Sequence, residues 1–379
     1  MRGRKHDLME VLSISILAVV SGAEGWNDIE SYALSKQSWL KQFLELKNGI
    51  PSHDTFRRIF SRINPIDLEQ CFFNWVYDHY CTSLSGDIIA LDGKTVRGSY
   101  GAKSSAIHIV SAWSANKKVV LAQEKVLDKS GELTAIPKLL NRLPIEGATV
   151  TIDALGCQIE IAREILKNNA NYVLSLKANQ PNLFNSVQMY FTNNLLNSAT
   201  KCGKNFFSVF DGKKEKMVRR SIWVIRNISF LKNKDKWPGL KSVIALETIK
   251  YNSKDIRFFI SNLDVTAEMF ARIIRSHWGI ENLLHWSLDV SFREDASRLR
   301  YGNSAQNFSL FRKMALNLIR NHQTYRGILA RRKCAGWDNN FLDAIMTNKK
   351  RTKVDPSSVL ISDLFLSPAK YKEWSESIR

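Results

Sequence analysis

Apolar residues near the start of the chain recur at helical spacing. Leu8, Val11, Leu12, Ile16, Val19 and Val20 share one face, and Gly22 and Gly25 break it. Ile29 to Leu46 forms a second amphipathic stretch, rich in Trp, Tyr and Phe. Gly49-Ile50-Pro51 then reads as a turn. Ser52 follows as an N-cap, with Asp54 favourably placed in the first turn of a short helix. Residues 6 to about 85 are therefore predicted all-helical.

The texture changes at Asp87. Strands are predicted at 88–92, 107–114 and 118–126, a helix at 134–142, a strand at 148–153, a helix near 157–168 and a strand at 172–177. Three strands, a helix, then alternating strand and helix is the order of a ribonuclease H-like α/β core. A basic, polar stretch follows, Lys201 to Lys216, and then three strands at 219–226, 241–250 and 256–262. The core's next helix waits until Thr266, so about 182–263 reads as an inserted β-rich subdomain. Helix dominates 266–287 and 304–322. The predicted organisation is a helical N-terminal domain over 1–85, a core over 86–330 and a basic tail over 331–379. That tail lacks clear periodicity and carries the run Lys349 to Lys353.

Composition sharpens this picture mainly through charge. Of 379 residues, 44% are hydrophobic and 24% charged, as in ordinary globular proteins, but the formal net charge is +19. Such a balance suits a polyanionic partner, because Lys and Arg displace counterions from phosphates. The helix after Pro51 carries Arg57, Arg58 and Arg62. It reads either as the second helix of a helix-turn-helix, with Arg57 and Arg58 on DNA, or as one helix of a bundle whose arginines are solvated. Five scattered cysteines, with no Cys-x-x-Cys, suggest neither a disulfide framework nor a zinc ribbon. They point to a reducing compartment. The basic start followed by Val11 to Val20 imitates a secretory signal, yet Asp7, Glu10, Ser13 and Ser15 dilute it. The expectation is the buried first helix of a bacterial-type cytoplasmic, nucleoid-associated protein.

Two apolar runs each end on a lone carboxylate: Ile-Ile-Ala-Leu-Asp92-Gly-Lys94 and Ala-Thr-Val-Thr-Ile-Asp153-Ala-Leu-Gly. Carboxylates at the ends of buried strands need a cation, a proton or an arginine nearby, and two in register make a natural Mg²⁺ site. In His277-Trp-Gly-Ile-Glu281-Asn-Leu-Leu-His285, the two histidines and Glu281 sit at i, i+4 and i+8. One reading is a zinc helix with His277 and His285 as ligands. The other makes Glu281 the third oxygen ligand of a two-metal site with Asp92 and Asp153. Lys94, Arg97 and Lys177, the last with Asn179 in Leu-Lys177-Ala-Asn179-Gln180, read either as holders of backbone phosphates or as solvated loop charges. His277 and His285 fit a hydrogen-bonded layer around the carboxylates, near the nucleic acid. Core packing is expected for Trp278, Trp286 and Cys157.

The motifs together resemble a DDE-type insertion-sequence transposase of the ISAs family, which includes the H-repeat-associated proteins linked to Rhs elements. They are Gly-Ala-Glu-Gly-Trp26-Asn-Asp-Ile-Glu, Gly-Ile-Pro-Ser-His-Asp-Thr-Phe-Arg-Arg, Leu-Asp92-Gly-Lys-Thr-Val-Arg-Gly-Ser, Ile-Asp153-Ala-Leu-Gly-Cys-Gln, Leu-Lys-Ala-Asn-Gln-Pro and the segment from His277 through Asp295. The resemblance implies a ribonuclease H-like core with Asp92, Asp153 and Glu281 as its catalytic, metal-binding triad. It also implies dependence on Mg²⁺ or Mn²⁺, two ions per site. Double-stranded DNA, at element ends and target, would be the substrate of at least a dimer. One signature of related transposases, Tyr-x-x-Arg-x-x-x-Glu-x-x-x-x-x-x-Lys, is not present. Its places here hold Ile274, His277 and Leu288, and Glu294 with Asp295 offers a second acidic pair nearby.

Overall fold

The structure, a computed structural model, describes residues 6–347 apart from 82, 102–104, 127–130, 195–204, 213–216, 252, 323 and 325. The N-terminal segment carries α1 (Leu8–Val20), α2 (Trp26–Ser35), α3 (Gln37–Leu40), α4 (His53–Arg62) and α5 (Pro65–Tyr80), with non-helical chain between α3 and α4. Every residue from Val11 to Val20 in α1 is buried, Ser13 and Ser15 included. A helix apolar on all sides belongs inside a core rather than on its surface. The second amphipathic stretch is interrupted at Lys36 and leaves helix after Leu40.

Nine strands form one sheet in the order β3-β2-β1-β4-β5-β9-β8-β7-β6. They are β1 (Ile88–Thr95), β2 (His108–Ser114), β3 (Val119–Val126), β4 (Thr149–Ile152), β5 (Asn171–Leu176), β6 (Phe206–Asp211), β7 (Val218–Ile225), β8 (Ser242–Lys250) and β9 (Ser253–Ser261). The β1-β2-β3 meander is antiparallel, and β1, β4 and β5 run parallel. Helices α6 (Glu132–Arg142) and α7 (Ile159–Lys167) provide the crossovers that parallel pairing requires. The interval predicted as an inserted subdomain supplies α8 (Pro181–Asn194) and β6 to β9. Its strands extend the sheet, because β9 pairs antiparallel with β5. β6 falls within the stretch read as basic and polar, and its Phe206, Phe207 and Phe210 lie at the sheet's edge.

Strand period 2 sorts the two faces of the sheet. Tyr172, Leu174, Trp223, Val243 and Ala245 join the large core with α1, α5 and α10 (Ser304–Asn321). Their neighbours Val173, Ile222, Val224, Ile244 and Leu246 meet α9 (Ala267–Gly279) on the other face, against Phe270, Ile273 and Ile274. The segment expected as an aperiodic tail begins instead with α11 (Ile328–Trp337) and α12 (Asn339–Thr347). Arg332 in α11 is 1% exposed and donates to the carbonyls of Val19, Ala23 and Ser291, which ties α11 into the core. The run from Lys349 to Lys353 lies outside the described residues.

Candidate active site

The register of β1 against β4 pairs Leu91 with Ile152, so the next residues, Asp92 and Asp153, reach the same level of the sheet. Ile89 and Leu91 pack into the large core, as do Val150 and Ile152. Alternation therefore turns Asp92, Lys94 and Thr151 toward the α9 face. Thr151 there hydrogen-bonds His277 of α9, Oγ1 to Nδ1 at 3.0 Å. Glu281, itself exposed, follows two residues after α9 ends, on a π-helical turn, Ile280–His285. The intervening Gly93 faces the other way. A Cβ there would stand 2.3 Å from both Glu132 Oε1 and His108 Nε2, so only glycine fits between the two facing side chains.

Electrostatics joins these elements. Burial, the neighbouring Asp153 charge and, more weakly, the charges of Glu281 and Glu132 push the Asp92 carboxyl up to about 7. Asp153 Oδ1 accepts from the backbone N–H of Leu155 at 3.0 Å and closes its own turn. His285 Nδ1 lies 3.5 Å from Asp92 Oδ2. Burial, with Lys313 and Lys94 nearby, drives the His285 pKa down to about 3, so its imidazole is neutral at physiological pH. Burial lowers that of His277 also. Among the described residues, no three His, Cys, Asp or Glu side chains form a ready metal cluster. The donor chemistry nonetheless suits a hard divalent cation: all three carboxylates are oxygen donors, and Asp92 is buried beside the Asp153 charge with no lysine or arginine paired to it among the described residues.

Several residues predicted to face nucleic acid stand elsewhere. Lys94, read as a phosphate holder, is 11% exposed, with its Nζ 2.8 Å from Asp289, 2.9 Å from Asp295 and 3.2 Å from Glu294. That cluster also engages the second acidic pair, Glu294 and Asp295. Asn179 donates to the Ala154 carbonyl at 2.7 Å, and Gln180 donates to the Cys157 carbonyl at 3.0 Å. Both clip the loop that follows Asp153. His277 and His285 face Thr151 and Asp92, on separate strands, rather than a common zinc position. Arg97, Lys177, Arg57 and Arg58 are exposed, Arg57 with its guanidinium 5.9 Å from the Tyr301 ring. Cys157 is fully buried, as expected. Trp286, expected in the core, is 56% exposed. Trp278 is half-buried, with the guanidinium groups of Arg220 and Arg257 each 5.6 Å from its ring.

Sequence reading missed three buried polar side chains at this site, two of them paired. His108 Nε2 and Glu132 Oε1 pair at 2.6 Å, behind Gly93. Lys313 of α10 is fully buried and donates to Gln123 at 2.7 Å and to Ser309 at 3.1 Å. A lone histidine inside an apolar strand was the available signal for the first. Ser309 shares its helix, but Gln123 lies on β3, so nothing in the local sequence marks Lys313 as buried.

Comparison with known proteins agrees along most of the chain. A model of the family described as "Transposase DDE domain" matches residues 83–318, and one described as "DDE_Tnp_1-associated" matches residues 1–76. The chain is 38% identical over 353 residues to "H repeat-associated putative transposase YhhI" of Escherichia coli K12, covering 90% of this chain and 93% of that protein. It is 38% identical over 341 residues to "Putative transposase YncI" of Escherichia coli O157:H7, covering 87% and 86% of the two chains. A shorter relative, "Inactive transposase YbfQ" of Escherichia coli K12, is 47% identical over 57 residues, which is 15% of this chain and 68% of the relative.

Proposed function

The chain belongs to the transposase DDE domain family, and from that premise we propose that it binds the ends of a mobile element and hydrolyses DNA phosphodiester bonds there. The freed 3′-hydroxyl then attacks target DNA in the same site. One observation carries this reading: the β1 and β4 register brings Asp92 and Asp153 to one level of the sheet, where burial first, then the Asp153 charge and more weakly that of Glu281, raise Asp92 to about 7. Asp92, Asp153 and Glu281 would hold two Mg²⁺ or Mn²⁺ ions, which when bound polarise the phosphodiester and activate water. The protein's own part is positioning. His285 keeps a neutral ring beside Asp92, His277 fixes Thr151 two residues before Asp153, and Asn179 with Gln180 steadies the loop after it. Arg97 and Lys177 are exposed where backbone phosphates could meet them, and Arg57 and Arg58 offer a second contact on α4.

We read the β3-β2-β1-β4-β5 half, with α6 and α7, as a ribonuclease H-like core, and α8 with β6 to β9 as its insertion. Residues 1–85 form the DNA-binding region and 86–330 the catalytic one. Joining two ends to one target implies a dimer or larger assembly on DNA. The test incubates the full-length protein with its element's end sequences and Mg²⁺, and repeats this with Asp92→Asn. Nicking is expected from the first alone; nicking that survives the substitution would sink the carboxylate assignment. Cutting without any joined product would favour a nuclease on the same core. A DNA-binding remnant is the second reading, favoured by the lack of a ready metal cluster among the described residues. End-specific binding by a chain inert with both Mg²⁺ and Mn²⁺ would support it.

A further inference from the structure

Residues 280–285 and 287–291 depart from the α-helix. Two π-helical turns, Ile280–His285 and Ser287–Ser291, follow α9. The N–H of Trp286 donates to the Glu281 carbonyl and that of Phe292 to the Ser287 carbonyl, each five residues back. Such turns are rare, and they gather at functional sites. An outside group that takes a mid-helix carbonyl is a recognised cause of a break in the α ladder.

Arg320 on α10 is that group. Its Nη2 donates to the Leu283 carbonyl and, at 3.0 Å, to the Ser287 hydroxyl, so it bridges the two π turns. The guanidinium lies 5.5 Å from the ring of Trp113, a fully buried residue of β2. Gly279, the last residue of α9, approaches the same indole: a Cβ there would lie 3.4 Å from Trp113 Nε1. The change of helical register is thus held between α10 and the sheet.

Register matters because one residue of α-helix corresponds to about 100° of rotation. Phe270, Ile273 and Ile274 fix α9 against the sheet, and Leu284 and Leu288 are fully buried beyond it. Glu281 stands between these anchors. A return to α register would turn it relative to Asp92, with both flanks held. We propose that Arg320 is a positioning residue, whose guanidinium keeps the two turns in π register and thereby aims Glu281 at Asp92. This rests on reading Glu281 as the third carboxylate of the site.

The test uses the full-length protein, with Mn²⁺ as the probe. Arg320→Gln removes the bridging guanidinium, whereas Ser287→Ala removes one of its acceptors and leaves Arg320 in place. Amide hydrogen exchange is followed by mass spectrometry, and Mn²⁺ binding without DNA by electron paramagnetic resonance. Faster exchange is expected at 279–292 in Arg320→Gln, with sheet peptides unchanged. The Mn²⁺ concentration for half-saturation should rise about tenfold or more, and by less in Ser287→Ala. A merely structural role would speed exchange throughout and leave half-saturation of the folded molecules unmoved; that result, or wild-type behaviour in both measurements, overturns the proposal. If Arg320→Gln does not fold, Ser287→Ala decides, and wild-type exchange and Mn²⁺ binding in it overturn the proposal. A wild-type chain that binds no Mn²⁺ and cuts no DNA removes the catalytic reading instead. In that event, faster exchange confined to 279–292 still supports Arg320 as the register holder, and unchanged exchange still overturns it.

Discussion

Asp92 and Lys94 leave β1 on the same face and meet opposite surroundings. Asp92 is raised to about 7 by burial and, next, by the like charge of Asp153. Lys94 is surrounded by three carboxylates, which override the effect of its burial and raise its pKa. Asp92→Asn should therefore abolish cleavage and also stabilise the metal-free protein, by roughly 1–3 kcal/mol, because it removes a buried charge that also repels Asp153. Thermal melts with a chelator present would check this, and an unchanged or lower Tm would count against that buried charge. Glu294 is the counterpart: burial would raise it, but Lys94, Lys313 and Arg312 hold its carboxyl down at about 2. A depressed carboxyl contributes stability that is present above its unfolded pKa, near 4.5, and lost as pH falls toward 2. Glu294→Gln should cost about 3–5 kcal/mol at pH 7, since it leaves buried cations without their partner. The penalty should shrink steadily between pH 4.5 and pH 2 in urea titrations. A penalty independent of pH would contradict the assigned network.

At the scale of elements, β1 is fixed from both sides. Gly93 gives His108 and Glu132 the space to pair behind the strand, while Asp92 and Lys94 look toward α9. Gly93→Ala should destabilise the fold by about 1–3 kcal/mol, the usual cost of overpacking, and lower activity through its two neighbours. Denaturation midpoints and nicking rates measured on the same preparation would show whether the two fall together. Helix α4 has the opposite character. Phe56 and Phe60 bury its inner face, with Phe60 against Trp26 and Phe311, and leave Arg57, Arg58 and Arg62 outside. If these arginines meet phosphates, Arg57→Ala with Arg58→Ala should weaken binding to all DNA sequences. The slope of log affinity against log salt should also fall by about 0.9 per lost contact. An unchanged slope would assign α4 to the helical packing alone.

Across the whole molecule, the helical start and the segment that follows it share one core. Trp26 of α2 and Phe60 of α4 pack on Phe308 of α10, and Arg332 of α11 caps the end of α1 and the Ser291 carbonyl. Residues 1–85 expressed alone should therefore fail to fold, because their apolar faces lose α10; a cooperative melt of that fragment would refute this. Arg332→Met should cost about 3 kcal/mol or more through unpaired buried carbonyls. By itself the sequence determined the helical start, most strands of the sheet and the two strand-end aspartates, since short-range periodicity and burial preference govern all of these. It predicted His277, Glu281 and His285 on one helical face, a reading that assumes α register throughout. The tertiary structure alone decided the π turns, because the group that holds Leu283 comes from Arg320, on another helix. It likewise decided what Lys94 does, because Asp295 lies 201 residues away along the chain. It also placed α11 in the core, through the contacts of Arg332 with α1 and the segment after Glu281. Periodicity records which side of an element is buried, whereas the partners of a buried charge depend on how distant elements are brought together.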